Sequence, residues 1–234
     1  MIGNPQFDEY AEDYDCALAR GLAATGEDKN YFARGRLRWL SAELARRAFS
    51  PRAVLDFGCG TGSAAPHIAA ELAPETLVGV DVSGRSLEVA RREHAATGAR
   101  FRLLGEFEPA GQFDLAYTNG VFHHIPAAER AAAVAYVLAA LRPGGLFAFF
   151  ENNPWNPGTR YTMRRNPFDA DAAMLSLREA RRLLAAGGFE VLGTRTLFYF
   201  PRALRFLRPL EPTLARLPLG GQYLVLCRKP AGAA

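Results

Sequence analysis

The chain has 234 residues, 49% of them apolar, with 28 basic and 24 acidic side chains for a net charge of +4. That length suits one large domain burying about 70% of its unfolded surface. No run approaches the roughly 20 apolar residues that span a bilayer, and Met1 to Gln6 lack the charged start of a secretory leader, so a cytoplasmic protein without a transmembrane segment is expected. Three scattered cysteines, Cys16, Cys59 and Cys227, do not make a disulfide framework or a zinc site, and free thiols with no metal are expected.

The charge is unevenly spread. Residues 1–150 carry 15 basic and 18 acidic side chains and residues 151–234 carry 13 and 6, giving −3 and +7. Arginine supplies nearly all of the positive charge, which fits either solvated surface or a face turned toward an anionic substrate, lipid or nucleic acid.

In chain order, residues 7–24 and 29–48 read as two helices, the second with Ala33, Leu37, Leu40, Leu44 and Ala48 at helical spacing. Strand and helix then alternate: strand 53–57, helix 63–73, strand 76–81, helix 84–97, strand 100–104, strand 113–118, helix 126–141, strand 145–151. Pro126 suits a first helical turn, and Pro143-Gly144-Gly145 ends that helix. The alternation predicts a parallel sheet with helices on both faces. A polar loop follows from Asn152 to Ala170, then a helix opened by the capping box Ser176-Leu177-Arg178-Glu179. Strands 189–198 and 222–229 close the chain around an insertion, Pro201 to Gly221. That insertion mixes arginines with large apolar residues, as a peripheral membrane contact would, but a helix packed on the sheet edge is the expected arrangement.

The most informative local feature is the first strand, Val54-Leu55-Asp56-Phe57, running into Gly58-Cys59-Gly60-Thr61-Gly62. Glycines at alternate positions let the backbone turn tightly and approach a ligand at the start of the next helix. A dinucleotide fingerprint needs a third small residue for helix packing where this chain has Ser63. At the tip of the next strand stands Asp81, where an acid meets the ribose hydroxyls of an adenosine cofactor.

The string Leu55-Asp56-Phe57-Gly58-Cys59-Gly60-Thr61-Gly62 resembles the first motif of the class I S-adenosylmethionine (SAM) dependent methyltransferases, and Asp81 stands where that family has its ribose-binding acid. Within that family, Glu151-Asn152-Asn153-Pro154-Trp155-Asn156-Pro157 looks like a bacterial small-molecule subgroup. The resemblance implies a Rossmann-like fold with a mostly parallel seven-stranded sheet, one antiparallel strand, helices on both faces and two N-terminal helices. It implies one methyltransferase domain: a helical cap over 1–48, a SAM-binding core over 50–151, and a substrate loop, helix and terminal hairpin over 152–234. SAM is the implied cofactor and S-adenosylhomocysteine the product. Asp56, Gly58, Cys59, Gly60, Gly62, Asp81, Val82, Glu106, Phe107, Asn119 and Tyr14 are the cofactor-site candidates. Many relatives have an aspartate beside the adenine, where this chain reads Gly105-Glu106-Phe107.

The fourth strand ends in Asn119-Gly120-Val121-Phe122-His123-His124, at the carboxyl end where substrate meets cofactor in such folds. A hydroxyl acceptor must lose a proton, and an imidazole of unperturbed pKa about 6.5 suits that task, so His123 or His124 is the candidate base. Tyr10, Arg34, Asn152, Asn156 and Arg160 are the acceptor-binding candidates. Asn153-Pro154-Trp155 follows the fifth strand, whereas the amine-binding motif of nucleic-acid methyltransferases follows the fourth. The reading is an enzyme that methylates a small molecule on oxygen or nitrogen. The alternatives are a non-catalytic SAM-binding protein, a nucleic-acid methyltransferase and an NAD(P)-dependent oxidoreductase. Nucleic acid is not expected as a partner, because the arginines do not interleave with aromatic residues as a stacking platform requires.

Overall fold

The computed structural model describes residues 14–166, 169 and 172–232, with the side chains of 14–17 outside that description. Tyr10, and the side chain of Tyr14, therefore lie outside the described part. Two helices, α1 (Tyr14–Leu22) and α2 (Lys29–Ala45), precede the sheet. Asp28 caps α2 by accepting the amide of Tyr31, and Ala33, Leu37, Leu40 and Leu44 form its buried stripe. The helix stops at Ala45, short of the expected 48.

The sheet contains β1 (Ala53–Phe57), β2 (Thr76–Asp81), β3 (Arg100–Leu103), β4 (Phe113–Asn119), β5 (Leu141–Asn152), β6 (Glu190–Leu197) and β7 (Gln222–Arg228). Its order is β3-β2-β1-β4-β5-β7-β6. All neighbours pair in parallel except β7, which runs antiparallel to both β5 and β6. The order reverses between β1 and β4, and in open α/β sheets that switch point is where ligands bind.

Successive side chains of a strand point to opposite faces, and the core divides accordingly. Leu55, Phe57, Phe147, Phe149 and Val225 pack on one face under α5 (Arg130–Ala140) and α7 (Leu177–Ala186). Val54, Leu115, Ala148, Phe150 and Leu224 pack on the other under α2, α3 (Ala65–Leu72) and α4 (Gly84–Glu93). Burial on both faces explains why β5 reads as a continuous apolar run instead of an alternating one.

Other stretches differ from expectation too: the strand expected from 145 starts at Leu141, so Pro143-Gly144-Gly145 lies inside β5 and not at the end of the helix before it. The helix expected from Pro126 begins at Arg130, because 127–129 form a turn in which Glu129 donates its amide to Pro126. The loop expected over 152–170 contains α6 (Pro157–Arg165), capped by Asn156, whose side chain accepts the amide of Thr159. The 201–221 insertion does pack on the sheet edge, where the Ala215 carbonyl accepts the amide of Thr196 on β6, but not as one helix: Arg202–Leu210 is a 3-10 segment with no buried residue, followed by the short α8 (Glu211–Leu214). The capping box at Ser176 and Glu179 is present with both reciprocal bonds.

Candidate active site

The glycine loop joins β1 to α3 at the switch point. Gly58, Gly60 and Gly62 all have positive φ, at 72°, 52° and 75°. A Cβ at Gly58 would stand 2.4 Å from the side chain of Val121 on the turn after β4, so that glycine lets the two strand tips approach. A Cβ at Gly60 would meet nothing within 4 Å, so its backbone borders open space. Asp81 ties this loop to the tip of β2, accepting the amides of Gly60 at 2.7 Å and Ser83 at 2.9 Å. Each carboxylate oxygen has a second lone pair for a further donor.

Not every loop atom is available as the sequence suggested. The amide of Gly60 goes to Asp81 and that of Gly62 to the carbonyl of Cys59. Cys59 points its sulfur into the core against Gly79, and its amide donates to Val80. Burial raises its thiol pKa well above the ordinary value, with Asp56 and Asp81 adding to the shift. Its side chain is therefore a packing group and not a cofactor contact. Cys227 is likewise free and buried.

Two buried side-chain oxygens at neighbouring strand tips have no hydrogen-bond donor among the described residues: Asp56 Oδ2 on β1 and Asn119 Oδ1 on β4. Burying an acceptor without a donor costs about 1–3 kcal/mol, more when it is charged. Burial raises the Asp56 pKa to about 7, reinforced by Asp81 and opposed by Arg36. Arg36, itself buried, donates to the Tyr117 hydroxyl at 3.1 Å and to Gln222 at 3.0 Å, and Gln222 donates on to Asn152 at 3.0 Å. This chain crosses the strand tips beneath the switch point. Sequence reading named Arg34 for the site, but Arg34 is exposed and Arg36 is the inward-facing arginine. Tyr117 and Gln222 were not anticipated.

The turn after β4 carries the paired histidines. His123 is buried, its Nδ1 2.7 Å from Glu151 Oε2 and its Nε2 3.4 Å from Asp169 Oδ1. Glu151 is fixed by two further donors, the amides of Phe122 and Asn152. Burial alone would lower the His123 pKa, but Glu151 and Asp169 outweigh it and raise it to about 10. Burial likewise opposes ionisation of Glu151, and the His123 charge overcomes it, so Glu151 titrates below its usual range. His123 thus sits enclosed between two carboxylates that favour its charged form, an arrangement that ties the β4 turn to Glu151 and Asp169. His124 is more open and 3.4 Å from the same Asp169 oxygen. Burial, and then the neighbouring His123 charge, lower its pKa to about 4, leaving it neutral but weakly basic. His123, His124 and Asp169 have the donor types of a metal site.

The remaining candidates divide by what their side chains already do. Asn156 is spent as the α6 cap and in a bond to the Leu219 carbonyl, so it is structural. Asn153, which the sequence gives to a loop, bonds the carbonyls of Pro218 and Gly220. Asn152 accepts from Gln222 at the edge of the polar chain. Arg160 and Glu106 are exposed, Val82 is half-buried, and Phe107 packs one side of its ring toward Phe113 with centroids 6.1 Å apart.

Sheet order, switch-point glycine loop and strand-tip acid together are those of the class I SAM-dependent methyltransferase fold. Residues 55–147 match the model of the methyltransferase domain. A trans-aconitate 2-methyltransferase of Azoarcus sp. (strain BH72) is 29% identical over 168 residues, 70% of this chain and 66% of that protein. A malonyl-[acyl-carrier protein] O-methyltransferase of Halalkalibacterium halodurans is 29% identical over 56% of this chain and 49% of its own length. The chain thus spans between about half and two thirds of these curated relatives. Among solved structures, a SAM-dependent methyltransferase of Thermotoga maritima, described as a possible histamine N-methyltransferase, aligns with TM-score 0.64 and 17% identity over 96% of this chain and 98% of that one. SAM is the cofactor of the family, and the site suits it. Orphaned acceptors await a donor such as its ammonium, and open space borders Gly60.

Proposed function

We propose that the protein transfers the methyl group of SAM to a small-molecule acid, giving a methyl ester and S-adenosylhomocysteine. The observation that carries the cofactor part is the pair of buried acceptors, Asp56 Oδ2 and Asn119 Oδ1, without a donor among the described residues and placed at the tips of β1 and β4. When bound, the cofactor supplies an electrophilic methyl group on a sulfonium. Asp56 and Asn119 would accept from its ammonium and Asp81 from the ribose hydroxyls, and Val82, Glu106 and Phe107 would hold the adenine. Bound SAM would supply its methyl group to an acceptor carboxylate oxygen, the carbon–sulfur bond breaking with its electron pair left on sulfur. No proton moves. Alignment of the three atoms then supplies most of the rate.

The acid class is supported from two sides. The two curated relatives above are named for trans-aconitate and a malonyl group. Neither histidine of the β4 turn has the properties of a base at neutral pH, and a carboxylate arrives already ionised. Arg160, exposed on α6, is the arginine assigned to the acceptor's second charge.

Incubation with tritium-labelled SAM and separate panels of carboxylic acids, phenols and amines tests this reading. Base-labile label in the acid panel is expected. Label confined to amines or phenols would overturn the acid assignment. SAM binding with no labelling in any panel would favour a non-catalytic binding protein. For the cofactor, Asp81→Ala removes an acceptor that holds both loop and ribose, and is expected to weaken SAM binding by about 10–100-fold in calorimetry. Binding of NADH in place of SAM would defeat the assignment.

A further inference from the structure

Two excursions from the sheet, of which the methyl-transfer reading uses Arg160 alone, lie at one end of it. Residues 153–166 leave β5 at Asn152, and residues 198–221 enter β7 at Gln222, and Asn152 and Gln222 are paired across the antiparallel ladder. Both therefore sit at the end of the sheet where β1, β2 and β4 place Asp56, Asp81 and Asn119. Side chains tie the excursions together: Asn153 bonds Pro218 and Gly220, Asn156 bonds Leu219, and Thr159 bonds the Gly221 carbonyl.

The second excursion is also held from within. Glu211, buried, accepts the amides of Tyr199 and Phe200, the Tyr199 hydroxyl donates to Leu217, and Arg208 pairs with Glu27. With its polar groups satisfied inward, the segment leaves large apolar side chains in water. Phe206 is 71% exposed, Trp155 64% and Leu219 57%, with Tyr161, Leu204 and Leu217 exposed beside them in sequence. The same two segments carry the exposed arginines 164, 165, 202, 205 and 216 and one acid, the buried Glu211, while Arg208 is already paired with Glu27. Exposed aromatic and aliphatic side chains in segments rich in exposed arginine are the composition of an interfacial lipid contact.

We propose that this end of the protein docks on an anionic lipid surface, with Trp155, Phe206 and Leu219 entering the headgroup boundary and the exposed arginines meeting lipid phosphates. Among the described residues no helix is long and apolar enough to cross a membrane, so the contact is peripheral. Charge selects the occupant: a neutral apolar partner would leave the arginines without counter-charge, whereas guanidinium groups pair with phosphate in two-pronged geometry. Docking brings the cofactor end of the sheet to the bilayer. It stands independently of the methyl-transfer reading, because it is measured on the protein alone.

The test is co-sedimentation with vesicles of phosphatidylcholine, alone or mixed with phosphatidylglycerol. Binding to the mixed vesicles, weak or absent binding to the neutral ones, and loss at high salt are expected. Replacing Arg205 and Arg216 together with Gln should weaken binding about thirtyfold, and Phe206→Glu should weaken it with no change in melting temperature, since the side chain is exposed. Equal binding to both vesicle types, no binding to either, or indifference to these substitutions would overturn the proposal. So would a stable dimer in sedimentation velocity that Phe206→Glu dissociates, which would give the face to a second copy of the chain.

Discussion

Replacing Asp56 with Asn is expected to weaken SAM binding by about a hundredfold while raising the melting temperature of the cofactor-free protein at alkaline pH. Both effects come from one buried oxygen. Asp56 has no donor for Oδ2 among the described residues, and burial, then Asp81, hold its pKa at about 7, above the ordinary carboxylate value of 3.8. A folded pKa above the unfolded one means that ionisation opposes folding. The penalty is absent below the unfolded pKa and fully present once the pH has risen through about 7, where roughly three units correspond to at most about 4 kcal/mol. Asn carries no charge and escapes it. A bound ammonium reverses the balance by pairing with the ionised form, so SAM affinity should fall about tenfold for each pH unit below about 7 in the wild type. In the Asn variant that slope should vanish. Calorimetry from acid to alkaline pH, with melting curves at each point, reads both effects. A wild-type affinity flat across that range, or a variant that binds SAM as tightly, would remove Asp56 from the ammonium site.

What was legible in the sequence was what is local in the chain. The glycine loop, Asp81 and the Ser176 capping box are each fixed by residues within a few positions, and the strand–helix alternation follows from hydrophobic period. Contacts that close across the sheet were not. Arg34 and Arg36 read alike as arginines of one helix, although Arg36 stands three residues after Ala33 and four before Leu40, within the buried stripe. That spacing was the available signal for its inward position. Helix α6 was concealed by its polar composition, although Asn156 followed by Pro157 is a sound cap and first position. The role of His123 depends on Glu151 and on Asp169, far away in sequence, and no local pattern shows a histidine enclosed by two carboxylates.

His123→Ala is accordingly expected to act on stability first. Removing one partner of a buried ion pair leaves the other uncompensated and costs about 3–5 kcal/mol, which in a chain of this size lowers the melting temperature on the order of 10 °C. Glu151 bears that loss, since its remaining donors are two backbone amides. Adding Glu151→Gln to the His123→Ala protein should therefore recover part of the stability, because it removes the uncompensated charge. The pH dependence has a definite sign. Because the folded pKa is raised, to about 10, the stabilisation from His123 is complete below the unfolded value of 6.5 and is lost as the pH climbs through about 10. Turnover per folded molecule should fall less than tenfold, whereas loss of a general base would lower it about 10²–10⁴-fold. A variant that melts like the wild type yet loses turnover on that larger scale would restore His123 as the base and favour a hydroxyl acceptor over a carboxylate.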